Sequence, residues 1–233
     1  MTIRAAMACM VLGLAAAPAW ADWSGKAELG AVLARGNTDS DTLSGKVEVA
    51  NQLERWKHQA GLAILRSSAD DVTTANRFEL RGQSDYAVTE RSYAFGALRY
   101  EDDEFSAFAW QATATVGYGY KAIDEEATKL NLQIGAGYRS VEEQLTGDTS
   151  GSAIVRGDVF FEHRLTATTR IIDKFLVEAG SDNTFVQNDL SLEVKMTDTL
   201  ALGLSYSVRH NTDVPVGIEE TDQVFTANLV WGF

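Results

Sequence analysis

The sequence predicts an all-β protein: a closed antiparallel transmembrane β-barrel of about 12 strands. Apolar and polar residues alternate through most of the chain, which is the period of strands whose two faces meet different environments. Aromatic residues concentrate near the predicted strand ends, as at the two interfaces of a membrane. The last stretch, Asp222–Phe233, alternates to its final position and ends on an aromatic residue, which favours lipid over water.

The first residues have the pattern of a secretory signal peptide, predicted for residues 1–21. Arg4 supplies a positive charge, a short apolar run follows, and Ala19 and Ala21 place small residues where a signal peptidase cuts. The apolar run is too short to cross a bilayer, which needs about 20 apolar residues. The sole cysteine, Cys9, lies in this segment, so the barrel predicted for residues 22–233 has no disulfide and no thiolate nucleophile.

Acidic residues outnumber basic residues, 33 against 20, and the net charge is -13. Nucleic acid is therefore not an expected partner, because phosphate contacts need Lys and Arg. No stretch after the signal is apolar enough for a transmembrane helix. A chain that spans a membrane without such helices must form a closed barrel, since only closure pairs every backbone polar group.

Alternating stretches separated by turn residues define the predicted strands. They are Trp23–Arg35, Thr42–Leu53, Trp56–Arg66, Asn76–Val88, Ser92–Glu101, Phe108–Ala122, Lys129–Val141, Ser152–Leu165, Arg170–Gly180, Thr184–Met196, Leu200–Asn211 and Gln223–Phe233. Connections after odd-numbered strands are mostly longer, as expected for external loops opposite short periplasmic turns. The connection Ser181–Asn183 is an exception, because it should be external and yet is tight.

The two faces of these strands differ in polarity. In one strand Leu202, Leu204 and Tyr206 alternate with Gly203 and Ser205. The apolar face would point inward in a secreted soluble barrel and toward lipid in a membrane barrel, and the aromatic positions favour the membrane barrel. The predicted periplasmic girdle is Trp23, Trp56, Tyr86, Tyr93, Trp231 and Phe233, and the predicted external girdle is Tyr100, Phe108, Trp110 and Tyr138.

Charged residues on the opposite face predict a polar lumen. Opposite charges can line a water-filled pore, or they can pair with one another and fill the lumen. A barrel of about twelve strands lies between the filled small barrels and the open large ones, so strand number leaves both alternatives open. The candidate lumen-lining residues are Arg77, Glu79, Arg81, Asp85, Lys121, Arg139, Arg156 and Arg209.

Two glycine-rich elements, Gly117–Tyr120 and Gly135–Tyr138, lie inside predicted strands. No helix follows either element, so neither is a phosphate-binding loop. Glycines on the inward face beside outward tyrosines suit tight curvature, or they leave room for a large neighbouring side chain.

The acidic run Glu101–Glu104 is predicted to lie in an external loop. Carboxylates are ligands for divalent cations, which also bridge lipopolysaccharide, but the run lacks the spaced ligands of an EF-hand. A solvated loop is the simpler interpretation, and no metal or cofactor is predicted.

The sequence does not predict an enzyme or any catalytic residue. His58 and His163 fall near periplasmic strand ends, and His210 falls near the external rim beside Asn211. Neither the Gly-x-Ser-x-Gly elbow nor the His-Glu-x-x-His motif occurs.

Several segments resemble the salt-induced outer membrane protein family, a family of unknown function. Arg99–Ser106 resembles its Arg-Tyr-Glu-x-Asp-x-Phe-Ser segment, and Gly117–Tyr120 and Gly135–Tyr138 resemble its two Gly-x-Gly-Tyr elements. Gly36–Thr38 resembles its opening Gly-Asn-Thr, and Asp222–Phe233 resembles its final strand. The resemblance covers nearly the whole chain after the signal, and it implies an outer-membrane barrel without assigned catalytic residues.

The predicted function is a small pore or permeability protein linked to envelope or salt stress. The alternative is a structural or adhesive envelope barrel with a plugged lumen and functional acidic loops. We expect a monomer in the outer membrane of a Gram-negative bacterium, in contact with outer-membrane lipid and lipopolysaccharide. The barrel-assembly machinery is the expected partner during insertion, and the predicted insertion signal is Phe225, Leu229, Trp231 and Phe233.

Overall fold

The computed structural model describes residues 23–34, 40–70 and 72–233, so the predicted signal peptide and the Gly36–Thr38 motif lie outside the described residues. Within these ranges twelve antiparallel strands form one closed barrel, which confirms the predicted fold class. The strands are β1 Trp23–Ala34, β2 Ser40–Leu53, β3 Trp56–Ala69, β4 Val72–Ala87, β5 Ser92–Asp103, β6 Phe108–Asp124, β7 Thr128–Glu143, β8 Thr149–Arg164, β9 Thr169–Gly180, β10 Thr184–Lys195, β11 Leu200–Asn211 and β12 Thr221–Gly232.

The barrel closes where β1 pairs with β12. Leu29 lies opposite Leu229, and beyond the paired strands the backbone N–H groups of Gly25 and Phe233 donate to each other's carbonyl oxygens, at 2.8 and 3.0 Å. This pairing leaves no free sheet edge. We call the end that holds Trp23 and Phe233 the terminal end, with turns 54–55, 88–91, 125–127, 165–168 and 196–199. The opposite loop end includes connections 104–107, 144–148, 181–183 and 212–220.

Several strands extend further toward the loop end than the sequence predicts. The predicted loop Ser67–Ala75 is mostly strand, because β3 continues to Ala69 and β4 begins at Val72. Polar side chains support this part of the ladder, and the hydroxyl oxygens of Thr42 and Ser67 lie 2.9 Å apart. The prediction is wrong there because a polar hairpin lacks the apolar alternation from which strands are recognised.

The outward face of the barrel is apolar along its middle, where Leu98, Val116 and Ile134 are all exposed by about two-thirds of their surface. A continuous exposed apolar face of this kind belongs against another apolar phase. No helix in the described ranges is long and apolar enough to cross a membrane.

Aromatic side chains pair on the outward face near both ends. At the terminal end the ring centroids of Trp56 and Tyr86 are 5.0 Å apart, and those of Trp231 and Phe233 are 5.1 Å apart. At the loop end Tyr100 and Trp110 stack at 6.5 Å. The assignment of Tyr93 to the terminal girdle is wrong, because its side chain is buried in the lumen instead of lying on the outward face.

Tyr93 faces the lumen with Phe95, and glycines on β6 and β7 make room for both. A Cβ atom on Gly119 would overlap the Tyr93 ring, and a Cβ atom on Gly117 would meet Phe95. Tyr93 is only 8% exposed. The glycine-rich elements therefore leave space for neighbouring aromatic side chains, which is the second of the two interpretations given above.

We predict that Gly117→Ala lowers the free energy of unfolding by about 1–3 kcal/mol, because the added methyl group collides with the Ile134 carbonyl oxygen and the Phe95 ring. Urea unfolding of the refolded barrel, followed by tryptophan fluorescence, measures this difference. Gly96→Ala is the control, since nothing lies within 4 Å of a Cβ atom at that position. Equal stability of the two variants would contradict the packing described here.

Candidate functional site

The lumen contains most of the charged residues of the strands, and it divides into two levels. Nearer the loop end is a set of buried side chains that we call the constriction: Glu79, Arg99, Glu101, Glu178, Phe185 and Arg209. Nearer the terminal end is a cavity of about 480 Å³ with a charged lining. The sequence produces both levels because every second residue of each strand must face inward.

The constriction joins opposite walls of the barrel. Glu101 on β5 and Arg209 on β11 stand half-way round the ring from each other. Nη2 of Arg209 donates to Oε1 and Oε2 of Glu101, at 2.5 and 2.6 Å. Glu101 is 2% exposed and Arg209 is 5% exposed. Side chains from opposite walls therefore meet across the lumen at this level.

Arg99 lies at the centre of the constriction among three carboxylates. Its Nη2 donates to Glu101 at 2.6 Å, and its Nε donates to Glu79 at 3.2 Å. Its Nη1 lies 3.7 Å from Glu178. A buried carboxylate loses its hydration, so each of these acids depends on a nearby guanidinium group to remain charged.

Phe185 packs against both central guanidinium groups. The Arg99 guanidinium carbon lies 4.7 Å from the Phe185 ring centroid, and that of Arg209 lies 5.1 Å from it. Phe185 is 0% exposed. Arginine is attracted to an aromatic face at these distances, and the ring excludes water from the ion pairs.

The tight connection 181–183 is tied to the lumen by a set of hydrogen bonds that we call the latch. Arg139 on β7 donates through Nη2 to the Asn183 carbonyl oxygen at 2.6 Å and to Asp182 at 3.2 Å. Ser152 on β8 donates to Asp182 at 2.6 Å. The Asn183 side chain accepts from the backbone N–H of Asp213, which links the latch to the long connection 212–220.

The latch also changes the acidity of Asp182. Partial burial raises the pKa of this carboxyl, but the hydrogen bond from Ser152, backbone hydrogen bonds and the charge of Arg139 outweigh that effect. The pKa of Asp182 therefore lies below its usual value of 3.8. The carboxylate form is the one that the latch stabilises.

The cavity is lined by cations and carboxylates in similar numbers. The cations are Lys26, Lys57, Arg81, Arg99, Arg156 and Lys174, and the carboxylates are Glu48, Glu79, Asp85, Asp158 and Asp189. Lys174 on β9 reaches Glu48 on β2, nearly opposite in the ring, at 3.0 Å. Asp85 accepts from Gln59 and Gln83, at 3.2 and 2.7 Å. The cavity is therefore hydrophilic but close to electrically balanced.

The structure distributes the predicted lumen-lining residues over several levels. Glu79 and Arg209 belong to the constriction, and Arg77 lies beside it, 4.0 Å from Asp103. Arg139 forms the latch. The others lie toward the terminal end: Arg81, Asp85 and Arg156 line the cavity, and Lys121 lies at its mouth, 3.5 Å from Asp124.

The placement of the acidic run in an external loop is wrong for Glu101, Asp102 and Asp103. The strand β5 continues through Asp103, so its alternation turns Glu101 and Asp103 into the lumen. The ladder to β4 extends this far because Arg77 pairs with Asp103 across the strands. The acidic pattern of the sequence therefore does not identify Glu101 as a lumen residue.

Arg99 and Phe185 were also missed as lumen residues. One signal could have identified Arg99: Leu98 and Tyr100 face outward, so the residue between them must face inward. Phe185 gives no such signal, because an aromatic residue near a strand end is typical of an interface girdle.

The three histidines lie on the outward face, and each is bonded to a hydroxyl group on a neighbouring strand. His58, His163 and His210 lie 2.9 Å from Ser84, Thr128 and Thr221, respectively. In the described part of the chain, no group of three or more His, Cys, Asp or Glu side chains is arranged to hold a metal ion.

The family described as "Protein of unknown function, DUF481" matches residues 27–233. The chain belongs to the DUF481 family. A relative in Escherichia coli (strain K12), the uncharacterized protein YdiY, is 22% identical over 217 residues, which cover 89% of this chain and 82% of YdiY. The predicted membership in a family of unknown function is thus confirmed, whereas the salt-induced character stays a prediction.

Two solved structures have a similar fold. The NanC porin has a TM-score of 0.52 at 10% identity, covering 89% of this chain and 97% of that one. An outer membrane channel from Pseudomonas putida F1 has a TM-score of 0.54 at 10% identity, covering 91% and 95%. At this level of identity the similarity concerns the barrel fold of the DUF481 chain.

We predict that the cross-lumen pair in this DUF481 barrel is strongly coupled. Glu101→Gln removes the buried carboxylate that pairs with Arg209, and the uncompensated cation should lower the free energy of unfolding by about 3–5 kcal/mol. The double variant E101Q/R209M also removes the unpaired cation, so it should lose less than the sum of the single variants. Urea unfolding measures all three. Asp198→Asn, in an exposed pair with Lys195, is the control and should not change stability measurably.

We predict a pH-dependent contribution from the latch of this DUF481 barrel. Because the pKa of Asp182 is lowered on folding, its carboxylate stabilises the fold above the usual pKa, and this stabilisation is lost as the pH falls through the folded-state pKa. Asp182→Asn should therefore be less stable than wild type at about pH 7, and the difference should shrink below about pH 4. Urea unfolding across this pH range measures the effect.

Ser152→Ala serves as the control for the latch. It keeps the carboxylate of Asp182 but removes the hydroxyl group that donates to it. The pH dependence should be weaker in this variant than in wild type. A constant difference between wild type and Asp182→Asn at all pH values would contradict the proposed role of the carboxylate.

Proposed function

We propose that the protein is a barrel of the Gram-negative outer membrane that forms a narrow pathway for small polar solutes, closed at the loop end by the constriction. The apolar outward face supports the location, because a barrel in lipid presents an apolar band between two aromatic girdles. The similarity in fold to the NanC porin and to the Pseudomonas putida F1 outer membrane channel agrees with it.

In this proposal the terminal end faces the periplasm and the loop end faces outward. Outer-membrane lipid surrounds the apolar band, and lipopolysaccharide surrounds the loop end of a monomeric barrel. The barrel-assembly machinery inserts the chain through the last strand, where Phe225, Leu229 and Trp231 lie on the outward face. The chain ends beside this face at Phe233.

The observation that carries the proposal is a hollow, charged lumen closed by side chains. The cavity of about 480 Å³ ends at the constriction, which consists of ion pairs and one phenyl ring, and the latch lies beside it at the loop end. Side chains can change rotamer without breaking the barrel ladder, so this closure can open within an intact barrel. A purely structural barrel would gain more stability from apolar filling, because desolvation offsets much of the attraction in buried ion pairs.

A structural envelope barrel with a plugged lumen is the second candidate function. The complete burial of Glu178 and Phe185 favours it, since both are 0% exposed and both lie where a pathway would have to pass. The two candidates differ in whether the constriction opens. A link to envelope or salt stress is supported by the family resemblance, and comparing transcript levels at low and high NaCl tests it.

We predict that the triple variant E101S/F185A/R209S conducts ions through planar bilayers with larger or more frequent steps than wild type. The variant removes both members of the pair that joins opposite walls, together with the ring between the guanidinium groups. Single-channel recording with a salt gradient measures conductance and selectivity.

Heat-modifiable gel migration establishes that each conductance sample is folded. The double variant K195S/D198S is the control, because it removes an exposed pair at the terminal end and leaves the constriction intact. If the folded triple variant is as silent as the control, the pathway is contradicted and the structural barrel is favoured.

A further inference from the structure

Three lysines gather near the terminal mouth of the lumen, although the chain as a whole has a net charge of -13. Lys121 on β6 and Lys129 on β7 both lie within electrostatic range of Lys57 on β3. Cations gathered at one mouth create a positive local potential, which attracts anions from solution.

Two of these lysines have no close carboxylate among the described residues. Lys121 lies 3.5 Å from Asp124, but both side chains are substantially exposed, so this pair is weak. Within the described ranges no carboxylate lies within 4.0 Å of Lys57 or Lys129, and Asp85 acts on Lys57 from beyond that distance. The charges of Lys57 and Lys129 are therefore not neutralised by a direct ion pair with a described residue.

The cavity leads from this mouth to two guanidinium groups, one of which has an unused donor. Lys57 lies in its wall near the mouth, Arg156 lies further in, and Arg99 stands at the constriction. Nε of Arg156 is buried without a hydrogen-bond partner in the protein, whereas Nη1 of Arg99 faces the Glu178 carboxylate at 3.7 Å. A buried donor without an acceptor is unfavourable, so the position of Arg156 favours a ligand or solvent that accepts hydrogen bonds.

The carboxylates of the cavity already accept hydrogen bonds from neighbouring side chains of the protein. Asp158 accepts from Nη2 of Arg156 at 3.0 Å, and Glu48 accepts from Lys174 at 3.0 Å. Asp85 is held by two amide groups, and Asp189 accepts from Gln187 at 2.8 Å. Ion pairing reduces the repulsion of an anion by Asp158 and Glu48, and the amide groups fix the orientation of Asp85 and Asp189.

We propose that the cavity binds a small soluble anion that carries a carboxylate or a phosphate group. The anion enters from the terminal end past Lys57, Lys121 and Lys129, and Arg156 supplies a donor to it. A volume of about 480 Å³ is within the range of small-molecule sites. This inference deepens the proposed pathway by assigning it a solute class, but binding itself does not require the constriction to open.

Isothermal titration calorimetry of the refolded barrel with succinate and with inorganic phosphate tests the proposal. We expect saturable binding of at least one of these probes, and no binding of choline or glucose. Lys57→Gln should weaken the affinity about tenfold, because it removes a mouth cation that faces the cavity. Lys195→Gln is the matched control, since Lys195 lies at the same end but is paired with Asp198 at 2.9 Å, and its affinity should equal that of wild type.

A second variant tests the inner part of the site. R156Q/D158N removes the guanidinium group together with the carboxylate that it pairs with, so no unpaired charge remains in the cavity. The double variant should also weaken binding about tenfold or more. Titration in liposomes with and without phosphatidylglycerol distinguishes a free anion from a lipid headgroup, because only a headgroup would compete with the probe.

Each outcome separates this proposal from the proposed pathway. If the folded barrel shows no saturable binding of either anion, or if Lys57→Gln and R156Q/D158N both bind like wild type, the anion site is overturned. If the wild-type barrel binds an anion but the triple variant does not conduct ions in planar bilayers, the anion site is supported and the pathway is contradicted. Conductance without anion binding contradicts the site alone.

Discussion

Closure of the backbone ladder is the constraint on which the rest of this barrel depends. The bonds between Gly25 and Phe233 and the pairing of β1 with β12 join the first strand to the last, so each strand of the wall has a hydrogen-bonded neighbour on both sides. Because side chains alternate along each strand, closure forces half of them into one enclosed space. The outward half is apolar, so the charged residues of the strands must share the lumen.

Confinement in the lumen determines how these charges are arranged. Toward the loop end they are cut off from water, and Arg99 and Arg209 neutralise Glu101 and its neighbours with Phe185 between them. Toward the terminal end the lumen is hollow and its pairs are partly exposed, so solvent screens them. The same charged composition therefore closes one half of the lumen and leaves the other half accessible.

The fold could be predicted from the sequence because strand periodicity is local, but the site depends on pairing between distant strands. Glu101 begins an acidic run and therefore has the pattern of a loop residue. The cation that compensates its buried charge, Arg209, is 108 positions away in the chain. Tyr93 has the position of a girdle aromatic, yet the space left by Gly119 on the next strand admits its ring into the lumen. Alternation predicts the face on which a residue such as Arg139 lies, but not its level or its partner.

The tight connection 181–183 at the loop end lies beside the constriction and is held there by the latch. Arg139 and Ser152 hold Asp182 and the backbone of Asn183 close to the lumen. A longer loop would not need to stay this close to the lumen. Phe185 follows two residues after Asn183 and packs against the guanidinium groups of Arg99 and Arg209. The latch therefore fixes the backbone just before the phenyl ring of the constriction, so these two features are joined by a short segment at the start of β10.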